Sequence, residues 1–138
     1  MRTDLVHPWA PPLGPEVIAL HAGEAWDAVR VTEPIGTAVL EALGGASGSV
    51  ISGGHGRSLY WLVPREEARD WRLPHVEVLP RSDREIAVVG VPPAASVKGP
   101  GVHWLVPWRP ARYLTDPALL HAALTAAVAA PAPAEGAR

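Results

Sequence analysis

The sequence predicts an α+β fold, a mostly antiparallel sheet with two main helices on one face. Three observations carry this. Two amphipathic stretches, starting near Thr32 and Asp116, have capping residues at the front and a glycine pair or proline at the back. Between them lie short runs rich in Val, Leu, Trp and Tyr, broken by Gly- and Pro-containing turns. The chain has 138 residues, 48% of them apolar, which suits one domain able to bury roughly two-thirds of its unfolded surface.

Residues 1–15 form a proline-rich arm, with Pro8, Pro11, Pro12 and Pro15. Proline fixes φ and lacks an amide donor, so the arm is neither helix nor central strand. Trp9 is its candidate anchor, and residues 16–130 form the domain. Residues 16–21 suit either a short strand or one helical turn. Residues 26–31 read as a strand, with Trp26, Ala28 and Arg30 alternating against Asp27, Val29 and Val31.

Thr32-Glu33-Pro34 starts a helix. Thr32 caps, Glu33 suits the positive end of the helix dipole, and Pro34 fits the first turn. Ile35, Val39, Leu40 and Leu43 make its apolar stripe, and Gly44-Gly45 ends it. Residues 49–52 and 58–63 read as strands joined by Gly53-Gly54-His55-Gly56-Arg57, and residues 66–71 as a single helical turn. Residues 76–79, 86–91 and 102–106 are further short strands, the first two separated by Arg81-Ser82-Asp83-Arg84.

The second helix spans residues 116–130. Asp116 caps it, Pro117 takes the first turn, and Leu120, Leu124, Ala127 and Val128 line one side. Pro131 stops it. Residues 131–138, Pro-Ala-Pro-Ala-Glu-Gly-Ala-Arg, read as a disordered low-complexity tail.

Composition removes several functions. Without cysteine there is no disulfide framework, thiolate metal site or cysteine nucleophile. The formal charge of −2 gives little support to a non-specific nucleic-acid binder, although Arg57, Arg65, Arg81, Arg84, Arg109 and Arg112 could gather into a patch. No apolar run approaches the ~18 residues of a membrane helix. The N-terminus has no secretory h-region, so the expected compartment is the cytoplasm. Phe, Asn and Gln are absent and Lys98 is the only lysine, which reads as coding bias of a GC-rich genome.

The blocks between Gly53 and Pro107 are distinctive in order and spacing. They run Gly-Gly-His-Gly-Arg-Ser-Leu-Tyr-Trp-Leu-Val-Pro, Leu-Pro-His-Val-Glu-Val-Leu, Glu-Ile-Ala-Val-Val-Gly-Val-Pro-Pro and Gly-Val-His-Trp-Leu-Val-Pro. In this the chain resembles the second half of the primase-polymerase (prim-pol) domain of the archaeo-eukaryotic primase superfamily, over roughly residues 25–107. The resemblance implies a trimmed, RRM-like prim-pol core. In that family an Asp-x-Asp strand and a later acid hold divalent metals, and a His contacts the nucleotide phosphates.

Carried onto this chain, the resemblance puts Arg30 and Thr32 at the two metal-binding positions, Ser58 at the His and Glu77 at the third acid. A slip of one or two residues in the first strand would instead bring Asp27 or Glu33 toward the acidic positions. Strand alternation puts Arg30 and Thr32 on one face of their strand, and Ser58, Tyr60 and Leu62 on one face of theirs. If those faces coincide, Arg30 meets Glu77 in a charge pair. A guanidinium does not lose its charge, so such a site repels Mg²⁺ or Mn²⁺.

The expected function is therefore that of a catalytically degenerate prim-pol-like domain, a non-enzymatic binding or regulatory module with no cofactor, no metal and no catalytic residue. Arg30, Arg57, Ser58, Tyr60 and Glu77 are the candidate ligand-binding residues. The ligand is a protein partner, a nucleotide or a nucleic-acid end. The alternatives are an active nucleotidyltransferase using Asp27, Glu33 and Glu77, and a structural subunit that pairs with itself through its sheet. The six histidines lack metal-ligand spacing, and the Gly53–Arg57 stretch reads as a hairpin loop before it reads as a phosphate cradle. Arg109 and Arg112 could meet phosphate or an acidic partner, but a solvated linker face is the plainer reading.

Overall fold

The computed structural model describes residues 9–53 and 58–129. The loop residues Gly54, His55, Gly56 and Arg57, the first eight residues of the arm and the expected tail at 131–138 lie outside them. Seven strands and two helices follow in the order β1 (Ile18–His21), β2 (Asp27–Thr32), α1 (Glu33–Leu43), β3 (Val50–Ser52), β4 (Ser58–Val63), β5 (Glu77–Leu79), β6 (Val88–Val91), β7 (His103–Val106) and α2 (Pro117–Ala129).

Five strands form one sheet in the order β5-β2-β4-β3-β7, with every neighbouring pair antiparallel. The fold is α+β, with both helices on one face of this sheet. The other face differs from the expected single sheet. Strands β1 and β6 pair only with each other, Ile18 opposite Val91 and His21 opposite Val88, and form a separate two-stranded sheet. This also settles residues 16–21 in favour of a strand.

The two-layer alternation explains why. On the helix side, Val29, Val31, Val50, Leu59, Trp61, Val63 and Val78 pack with Val39 of α1 and Leu120 and Leu124 of α2. On the opposite side, Ala28, Ile51, Leu62, Leu79 and Trp104 pack with Trp26 and with Val89 and Val91 of β6. A five-stranded sheet with apolar residues on both faces needs two covers, and each Val or Leu so buried contributes about 1.5–3 kcal/mol. Trp61 and Trp104 are both fully buried core residues, but they serve opposite faces.

Local chemistry accounts for the helices. Asp116 accepts hydrogen bonds from the amides of Ala118 (2.8 Å) and Leu119 (3.4 Å), a side-chain cap for α2. Thr32 occupies the N-cap of α1 with extended backbone, but its side chain makes no cap bond; it lines a hollow on the other face of the sheet instead. Gly36 lets α1 lie against β4, since a Cβ there would stand 2.9 Å from Leu59 Cγ. Gly44 ends α1 with φ +53, a conformation that glycine takes without penalty.

The expected helical turn at residues 66–71 is instead a pair of successive turns, closed by Glu67 N–H to Pro64 O and Trp71 N–H to Ala68 O. Asp27 provides the reason. This fully buried carboxylate accepts from the Glu66 amide at 2.9 Å and from Arg69 Nε at 2.9 Å and Nη2 at 3.3 Å. Serving Asp27 goes with a positive φ of 72° at Glu66, which no continuous helix permits.

Trp9, in the described part of the arm, packs against the domain. Its ring lies 5.5 Å from Trp26 and 5.6 Å from Tyr113, and its amide donates to the Tyr113 hydroxyl at 3.2 Å. No helix among the described residues is long and apolar enough to cross a membrane.

Candidate functional site

The antiparallel registers decide which side chains meet. Arg30 lies opposite Tyr60 on β4 and opposite Glu77 on β5, while Thr32 lies opposite Ser58. Directly paired residues share a face. Arg30, Thr32, Ser58, Tyr60 and Glu77 are therefore gathered on the face away from the helices. Four of the five expected contact residues come together there; Arg57 lies outside the described residues.

The Arg30 guanidinium organises the group. Its Nε donates to Ser58 Oγ at 3.2 Å and its Nη1 to Glu77 Oε1 at 3.2 Å. Its Cζ stands 6.0 Å from the Tyr60 ring centroid, at the outer limit of cation–π attraction. The Arg30 and Glu77 side chains are 45% and 55% exposed. A pair this wet is worth roughly 0–1 kcal/mol, so it orients the guanidinium more than it stabilises the fold.

Beside the pair is an open hollow of about 320 Å³, lined by Arg30, Val31, Thr32, Ser58, His75, Val76 and Glu77. Its polar lining combines one fixed cation, one carboxylate, two hydroxyls and an imidazole. Such a set can hydrogen-bond a polar ligand from several directions. It contains one carboxylate, not the group of acids that two-metal chemistry requires.

The shifted acid arrangement does not assemble. Asp27 points to the helix side, away from Glu77, and its oxygens are taken by Arg69 and the Glu66 amide. Glu33 is the exposed first residue of α1. Among the described residues, no three His, Asp or Glu side chains come together as a metal-holding group.

His75 belongs to the hollow and was missing from the expected site. Strand alternation does not reach it, because β5 begins at Glu77 and His75 sits in the turn before that strand. Its backbone has φ +65, uncommon for a residue with a Cβ. Because that conformation suits glycine, His75→Gly should leave the unfolding free energy within about 1 kcal/mol of wild type. His75→Val should cost more, since a β-branched residue is a steric outlier there. Urea melts of the two variants check this, and equal stability would mean that the backbone is not restrained at this point.

No protein-family model matches this chain, and neither does any curated protein or solved structure.

Proposed function

We propose that the chain is a catalytically degenerate relative of the primase-polymerases that acts as a non-enzymatic binding or regulatory module, with the hollow beside Arg30 as its contact site. The supporting observation is the Arg30 guanidinium held between Ser58 and Glu77, on the face where the family resemblance would put metal-binding acids. A guanidinium stays charged at every working pH and repels a divalent cation. The same group is oriented, half exposed and flanked by hydroxyls, which suits recognition of a polar ligand.

The test is calorimetric titration with deoxynucleoside triphosphate, with and without Mn²⁺, on wild type and Arg30→Met. Saturable binding that needs no metal, weakened about tenfold or more in Arg30→Met, is expected if the ligand is a nucleotide; a lost charge-assisted hydrogen bond costs about that much. No binding at millimolar nucleotide directs the search to protein partners of the same hollow. Manganese-dependent primer extension that disappears in Glu77→Ala would overturn the non-enzymatic reading.

A further inference from the structure

A second hollow, of about 150 Å³, lies where α1 ends against the segment after β7. It is lined by Gly44, Gly45, Ser47, Gly48, Val106, Pro107, Arg109 and Arg112. Its charge is one-sided. The Arg30 hollow balances its arginine with Glu77, and the hollow at Arg69 contains Glu24, Asp83 and Glu85. This one has two arginines and no carboxylate in its lining. Among the described residues, neither arginine forms an ion pair.

The two arginines are held together by a turn in which the Arg112 amide donates to Arg109 O at 3.0 Å. Arg112 Nη2 also donates to Gly45 O at 2.6 Å. That bond covers a carbonyl just past the negative end of α1, which explains a cation at position 112. It does not explain Arg109, whose guanidinium makes no hydrogen bond among the described residues. Gly44 and Gly45 contribute no side chain to the hollow, and a Cβ at either would meet nothing within 4 Å.

We propose that this hollow binds a phosphate group, gripped by the guanidinium of Arg109 and the free N–H groups of Arg112. Arginine pairs are suited to this because the planar fork matches two phosphate oxygens at once. Anchoring of Arg112 on Gly45 reduces the ordering cost of binding. The phosphate is either free or the end of a monoester, and the site is separate from the Arg30 hollow.

The test is titration of the ¹⁵N-labelled full chain at low ionic strength with inorganic phosphate, phenyl phosphate and acetate. Phosphate should shift the Gly45 and Gly48 amides and the Nε–H signals of Arg109 and Arg112. Arg109→Gln should weaken it about tenfold or more, the loss expected for one hydrogen bond to a charged group. Gly45→Asp, which sets a carboxylate beside Arg112 in open space, should abolish it. Tighter binding of phenyl phosphate than of inorganic phosphate assigns the site to a monoester, and the reverse assigns it to the free ion. Equal shifts with acetate, unchanged affinity in Arg109→Gln, or shifts confined to the Arg30 hollow would each overturn the proposal. Thermal midpoints of both variants close to wild type confirm that a loss of binding is not a loss of fold.

Discussion

Replacing Arg69 with methionine is expected to lower the unfolding free energy by about 3–5 kcal/mol, the usual cost of leaving a buried charge without its partner. Asp27 is the charge left behind. It is 0% exposed, and Arg69 is the only side chain that hydrogen-bonds it among the described residues. The hydrogen bonds to Asp27 first, and then to Asp83, push the Arg69 pKa above its ordinary value, so the guanidinium stays charged at any accessible pH. Asp83 contributes little to the loss because it is exposed on the outer side of Arg69.

The double variant Asp27→Val/Arg69→Met removes both charges and puts a β-branched residue in the strand. It should recover most of the loss, since an apolar pair can replace a buried ion pair at little or no cost. Urea denaturation of both variants measures the difference. A loss below about 1 kcal/mol in Arg69→Met would place the pair in the range of solvated surface bridges and contradict its burial.

Trp61→Ala is the second large effect, at about 3–5 kcal/mol by the cavity it leaves in the core. Trp61 is fully buried between the sheet and the two helices, at the centre of the strand β4 that pairs with both β2 and β3. Its indole N–H donates to Ser47 Oγ at 3.2 Å, and Ser47 Oγ in turn donates to Gly48 O at 2.9 Å. Trp61→Phe keeps most of the ring and loses that donor, so it separates packing from the hydrogen bond and should cost clearly less. Equal losses in the two variants would show that the bond to Ser47, and not the ring volume, holds this part of the core.

Much of the candidate site was legible in the strand alternation. Arg30, Ser58 and Tyr60 lie at positions whose faces follow from a period of two, and the Arg30–Glu77 pair follows once those faces coincide. His75 was not legible in this way, because it sits in the turn before β5 with a positive φ, and a histidine after a proline carries no local signal for that conformation. Asp27 shows the opposite case. As an acid near the expected metal positions it read as a possible ligand, whereas its partner Arg69 is 42 residues away in the chain. Nothing local to Asp27 announces that partner.

The sequence by itself determined the fold class, the two helices with their ends, and the strands other than β1, because capping residues, glycine and proline stops and side-chain alternation act within a few residues. Tertiary structure alone decided that β1 and β6 leave the main sheet to cover its second face. It also decided that residues 66–71 give up a helical turn to serve Asp27, and that Arg109 and Arg112 line one hollow with the glycines that follow α1. Those outcomes depend on burying two apolar faces and one carboxylate at the same time. That balance is set between segments far apart in the chain, where no local pattern records it.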